Sequence, residues 1–156
     1  MKLVYRLCHS SYAAASGEGA RRYGGRWNPV GRPAIYAAES RALCILERLV
    51  HLTRLPRGEI FTPILIPDGV AIHTLDPHVL PAGWDSSVEL AAVQTLAAKA
   101  MADRDVAVLR VPSVIVPGEC CYVLDPEHAQ FEQIQFEPGV PFEYDRRLIR
   151  EGRSVC

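Results

Sequence analysis

The densest group of residues able to do chemistry is Gly24-Gly25-Arg26-Trp27-Asn28-Pro29-Val30-Gly31. Paired glycines let a backbone turn left-handed and let a ligand come close to its amides. An Arg just after such a turn can fork onto a pyrophosphate, and Trp27 beside it can stack on a ligand or anchor the loop. A tight turn with a solvated Arg and a core Trp fits the same residues. The run is neither the dinucleotide fingerprint nor a P-loop. Tyr36 stands ten residues beyond Arg26, and Glu47 eleven beyond Tyr36. Ser113 follows Pro112 between two apolar runs. A hydroxyl buried there must bond backbone or ligand, and no GxSxG elbow marks it as a nucleophile.

The elements that must carry these residues can be read from pattern. Residues 2–8 read as a strand and 10–25 as a loop or short helix. Residues 33–38 read as a short strand, and a helix over about 41–53 is capped by Ser40. On its helical wheel the apolar centre falls between Ala42 and Leu46. Glu47 then lies beside Leu43 at the margin of the buried face, and Arg48 on the polar side. A carboxylate at that margin is partly desolvated, which strengthens its interactions, while a flank Glu paired with Arg or Lys fits as well. Strands are expected at 60–66 and 70–75, with Pro63 moving the first toward a sheet edge. Ser86-Ser87-Val88-Glu89 has the form of a capping box opening a helix over 87–103, with Leu90, Val93, Leu96, Ala97 and Met101 inward. Further strands are expected at 106–111, resuming at 114–116, then at 121–124 and 133–136. The pattern is α+β: a compact single domain, 1–156, of short, mostly antiparallel strands with two main helices.

Composition narrows the class. The chain has 156 residues, 49% hydrophobic and 22% charged, as expected for a soluble domain. No apolar run approaches the roughly 20 residues that span a bilayer. The N-terminus lacks the apolar core and cleavage site of a secretory signal, so a cytoplasmic location is expected. Five cysteines, none in a CxxC pair, and five scattered histidines give neither a disulfide framework nor metal-ligand spacing, so no metal is expected. In an extended segment the adjacent Cys120 and Cys121 face opposite ways, one thiol buried and one exposed. Charge is uneven: residues 1–60 hold ten Lys/Arg against four Asp/Glu (+6), and residues 61–156 seven against fourteen (−7), which sum to the net −1. The asymmetry points to an anionic ligand handled by the first third. Fifteen of the seventeen basic residues are Arg, which suits phosphate but is not diagnostic alone.

The run GGRWNPVGRPAIYAAESRALCILERL, the Gly83-Trp84 pair, LRVPSVIVPGE and CYVLDPEH, in that order, resemble the RES family. That family is named for an Arg, a Glu and a Ser and supplies the toxins of Xre–RES toxin–antitoxin pairs. The resemblance runs from Tyr5-Arg6 to Asp145-Arg146-Arg147-Leu148. It implies a fold similar to ADP-ribosyltransferase toxins and an enzyme that degrades NAD at its nicotinamide–ribose bond, with water or phosphate as acceptor. Residue by residue it implies Arg26, Tyr36, Glu47 and Ser113 as the catalytic set. NAD contacts would come from Arg26, Trp27, Asn28, Tyr36 and Ser113, with Ser113 orienting a ribose or amide group. NAD would be substrate with no separate cofactor, and an Xre-type antitoxin would be the partner in a hetero-oligomeric complex. The sequence departs from the family where Cys121-Tyr122 and Asp125-Pro126 replace Asn-Tyr and Asn-Pro. Two alternatives stay open: a toxin that ADP-ribosylates one protein target, and a non-enzymatic nucleic-acid-binding module. The +6 balance favours the second, but no RNA-recognition or helix-turn-helix signature accompanies it.

Overall fold

The computed structural model describes residues 1–149 and is built on one curled, mixed sheet. Its strands are β1 (Lys2–His9), β2 (Ile35–Ala38), β3 (Glu59–Ile66), β4 (Ile72–Thr74), β5 (Val108–Pro112), β6 (Cys120–Leu124), β7 (Gln135–Phe136) and β8 (Val140–Phe142). They run in the order β4-β5-β6-β2-β1-β3-β7, with β8 also on β3. Only the β4–β5 pair is parallel among these pairings. The helices are α1 (Glu18–Tyr23), α2 (Arg41–Leu49) and α3 (Leu90–Arg104). None is long and apolar enough to cross a membrane.

Side-chain alternation splits the core between the two sheet faces. One face gathers Ala38, Leu109, Val111, Cys121 and Val123 and is covered by Leu43 and Cys44 of α2 and Val93, Ala97 and Met101 of α3. The other gathers Ile35, Ala37, Val108, Tyr122 and Leu124, with Val70 and Ile134 from loops over it. Being buried on both faces, the central strands are apolar at nearly every position. Every candidate residue of Tyr36, Glu47 and Ser113 belongs to the helix-covered face or its rim.

Several expectations are corrected. β3 is not an edge: it pairs with β1 along its whole length. Its other side is shared between β8, at Glu59–Phe61, and β7, at Ile64–Leu65. Pro63 falls in the gap between them, and its carbonyl accepts from the Glu137 N–H at 2.9 Å. In an antiparallel strand a residue's N–H and C=O point the same way, so the missing donor faces that gap and costs no β1 bond. The 114–116 run is a turn rather than a resumed strand, and the 70–75 strand shrinks to β4. Ser86 does not cap α3; its hydroxyl donates to Gly83 O, and α3 begins at Leu90 with Glu89 in the cap position and no side-chain bond. Ser40 does cap α2, accepting from the Leu43 N–H at 3.0 Å. Cys156 lies outside the described residues.

Candidate active site

The Gly24–Gly31 turn is tied from within by one amide. Asn28 is buried; its Nδ2 donates to the carbonyls of Ala20 (3.0 Å), Arg32 (2.9 Å) and Pro29 (3.2 Å). Its Oδ1 accepts from the Tyr36 hydroxyl at 2.6 Å, and that hydroxyl in turn accepts from the Trp27 N–H at 3.1 Å. Burial pushes the Tyr36 phenol well above its usual range, so it stays neutral, with the hydroxyl committed to the loop and the ring packed against the core. Gly25 is the residue that permits this: a Cβ there would sit 2.4 Å from the Tyr36 hydroxyl and 2.8 Å from Asn28 Oδ1. Gly25→Ala is expected to lower stability by about 1–3 kcal/mol and to disorder the Arg26 loop. A thermal melt at the wild-type temperature would contradict that account of the turn.

Arg26 bridges this turn to a distant one. Its Nη1 donates to Trp84 O at 2.6 Å and to Ser86 O at 2.9 Å. The buried Trp27 ring packs on Trp84 at 5.9 Å between centroids, and Gln94 Nε2 of α3 donates to Gly25 O at 2.7 Å. Among the described residues Nη2 and Nε of Arg26 have no hydrogen-bond partner. Asp125, one of the family departures, is engaged by Arg32 at 3.4 Å and by its own loop.

The buried face of α2 is centred differently from what a simple wheel predicts. The buried pair is Leu43 and Cys44, whereas Ala42 is exposed and Leu46 is 40% exposed. The buried stripe is therefore centred on 43 and 44, and the half-buried Glu47 lies at its margin beside Leu43, as expected. Arg48 is only in part on the polar side: its side chain is 37% exposed, but its guanidinium forks onto the fully buried Glu59 at 3.1 and 3.1 Å. α2 packs on a sheet rim that carries polar groups, which is why its inward face is not purely apolar. Cys44 Sγ donates to Tyr5 O at 2.8 Å in the same contact, and burial pushes this thiol up to about 12.

The structure brings Glu47 and Ser113 together across 66 residues of sequence: Ser113 Oγ donates to Glu47 Oε1 at 2.7 Å. Ser113 is buried and opens the β5–β6 turn, where its Oγ also accepts from the N–H groups of Ile115 (3.1 Å) and Val116 (2.9 Å). These local bonds draw two N–H groups away from any ladder, which explains why 114–116 is a turn despite its strand-like composition. Because both acceptor positions of the hydroxyl are filled, its single proton must go to Glu47. Cys121 Sγ lies 3.4 Å from the same Oε1, a contact that residue-type reasoning alone misses. Tyr36 pairs with Val123 and Ala38 with Cys121, so Tyr36 and Cys121 are diagonal neighbours on one face, about 7–8 Å apart. Cys121 thus stands between Tyr36 and the Glu47–Ser113 pair, and Arg26 is near enough to Tyr36 for its charge to act there. Trp27 and Asn28 are buried, and the Asn28 amide is engaged by the loop carbonyls and the Tyr36 hydroxyl. A groove of about 420 Å³ between Tyr12, Ile60 and Gly139 contains none of them.

Residues 3–145 match the model of the RES domain. The chain belongs to the RES domain family. Its relatives within that family include a Prs ADP-ribosylating toxin of Sphingobium sp. (strain YBL2), 38% identical over 141 residues, 88% of each chain. A Toxin Res of Photorhabdus laumondii is 36% identical over 95% of this RES chain and 97% of its own. The NAD(+) phosphorylase MbcT of Mycobacterium tuberculosis is 54% identical over a shorter stretch of 44 residues, 28% of this chain and 24% of that protein. The fold of the RES domain described here is similar to one in the M. tuberculosis MbcT–MbcA toxin–antitoxin complex, with a TM-score of 0.73 and 25% identity over 91% of this chain and 84% of that one.

Proposed function

We propose that this RES protein is the toxin of a toxin–antitoxin pair and cleaves the nicotinamide–ribose bond of NAD in the cytoplasm, arresting growth until an Xre-type antitoxin binds it. The observation that carries the reading is the Glu47 carboxylate, with Oε1 held by the Ser113 hydroxyl and no donor among the described residues on Oε2. The names of the relatives, an NAD(+) phosphorylase and an ADP-ribosylating toxin, support it from outside the geometry.

In this reading the bond between ribose C1′ and the nicotinamide nitrogen breaks with its electron pair moving to that nitrogen. The ring loses its positive charge as it leaves, so no general acid is required, and the Tyr36 phenol keeps its proton on Asn28 Oδ1. Positive charge builds on the ribose, as in glycoside cleavage, and the negative Glu47 stabilises it. Water, releasing a proton to solvent, or phosphate then gives a lone pair to C1′. Tyr36 offers its ring face to nicotinamide or ribose. Arg26 binds the pyrophosphate through the donors it does not use on Trp84 and Ser86. Ser113, its hydroxyl saturated, works behind Glu47 rather than on the ribose directly.

Arg26→Ala is expected to raise the dissociation constant for NAD about tenfold or more, the loss of a charged, forked contact. Titration of the variant with NAD at unchanged affinity would move the phosphate contact to another Arg of the basic first third. A second reading, transfer of ADP-ribose to one protein target, is favoured by the Sphingobium relative. Labelled NAD would then mark a protein band in lysate, whereas an NAD-degrading enzyme releases only small products.

A further inference from the structure

We propose that Cys121 is a positioning residue for Glu47: with Ser113 it fixes one carboxylate oxygen, so that the other is the one presented to the ribose. The inference rests on the NAD-cleaving reading above. β6 lies between β2 and β5, and Cys121 pairs with Ala38 on one side and Val111 on the other. Its side chain therefore rises from the sheet between the strand that carries Tyr36 and the strand that leads to Ser113.

Two donors converge on one oxygen there: the Ser113 hydroxyl at 2.7 Å and the Cys121 sulfur at 3.4 Å, both on Glu47 Oε1. The two come from different places, Ser113 from a turn and Cys121 from a central strand, so together they define a direction as well as a distance. A carboxylate held by one donor can rotate about its last torsion; terminal torsions of this type are broad. A second donor on the same oxygen removes that freedom and leaves Oε2 facing outward. Cys121 is 9% exposed, and burial, reinforced by the Glu47 charge, pushes its thiol well above the usual range. It is therefore an S–H donor at neutral pH rather than a competing thiolate. The neighbouring Cys44 thiol is already committed to Tyr5 O and does not take this place. Cys120, on the other face of β6, is half-buried and does not reach Glu47.

The competing role for Cys121 is packing alone, and it is separable by substitution. Cys121→Ala removes the donor and leaves a small cavity; Cys121→Ser restores a donor at nearly the same volume. Steady-state NAD cleavage is measured for the wild type and both variants, with thermal melts alongside. The expected result is a fall in kcat of about five- to tenfold for Cys121→Ala, with KM for NAD within about twofold, and recovery of most of kcat in Cys121→Ser. Wild-type kcat in Cys121→Ala, or equal losses in Ala and Ser variants that track their melting temperatures, would overturn the proposal. Failure of the wild type itself to consume NAD strikes the proposed function, and this inference falls with it; an active wild type with an unaffected Ala variant strikes this inference alone.

Discussion

Glu47→Gln is expected to fold, to bind NAD with near wild-type affinity, and to lose two to three orders of magnitude in kcat. The amide keeps the size of the carboxylate, and its oxygen can still accept from Ser113 and Cys121, so the contacts that hold the side chain survive. What disappears is the negative charge at the place where the ribose becomes cationic. Removing one preorganised electrostatic group from a transition state costs about 10²–10³ in kcat. Binding depends more on Arg26 and Tyr36 and is left largely unchanged, so the loss falls on kcat rather than KM. Initial rates, an NAD titration and a melt on the same preparation check the three parts. Turnover at the wild-type rate would remove Glu47 from the chemistry.

Arg48→Ala is expected to be the most destabilising single change near the site. Glu59 is 1% exposed and receives both arms of the Arg48 guanidinium; after the change, among the described residues, only the Tyr144 hydroxyl, at 3.3 Å, still reaches its carboxylate. Breaking a buried pair from one side leaves a charge without its partner, at a cost of about 3–5 kcal/mol. For a chain of this size that is a fall in melting temperature of roughly 10 °C. Arg48 follows Glu47 directly on α2, so the pair also fixes how the helix is turned about its axis. Adding Glu59→Gln to Arg48→Ala removes the stranded charge and is expected to recover part of the loss. A fall of under about 2 °C for Arg48→Ala alone would mean that the ion pair contributes little.

Much of this architecture is legible in residue pattern because its causes are local. The Ser40 cap, the apolar stripe of α3 at Val93, Ala97 and Met101, and the doubly buried β5 and β6 follow from spacing. What was not legible depends on partners far away in the chain. Leu46 reads as core on a wheel, but the rim under α2 offers Ser113, Glu59 and Tyr5 O, so Glu47 and Arg48 turn inward and Leu46 turns out. Pro63 reads as an edge signal, yet its missing donor meets a gap between two short strands that no local pattern announces.

The site shows the same division. The order Arg26, Tyr36, Glu47, Ser113 is visible in the sequence through the family resemblance. The Ser113–Glu47 contact and the Arg26 bridge to the Trp84–Ser86 turn exist only in three dimensions. Trp84 had a signal, as one of two tryptophans in the chain and part of the Gly83-Trp84 motif. Gln94, which ties α3 to Gly25, had none.

The central claim is that this chain breaks NAD at the nicotinamide–ribose bond. The direct test is incubation of the purified protein with NAD, with and without inorganic phosphate, and identification of every product by mass. The account predicts free nicotinamide in step with NAD loss, joined by ADP-ribose or, with phosphate, its phosphorylated form, and all of these formed about 10²–10³ times more slowly by Glu47→Gln. Intact NAD under both conditions, together with salt-sensitive binding of the same protein to DNA or RNA, would contradict it.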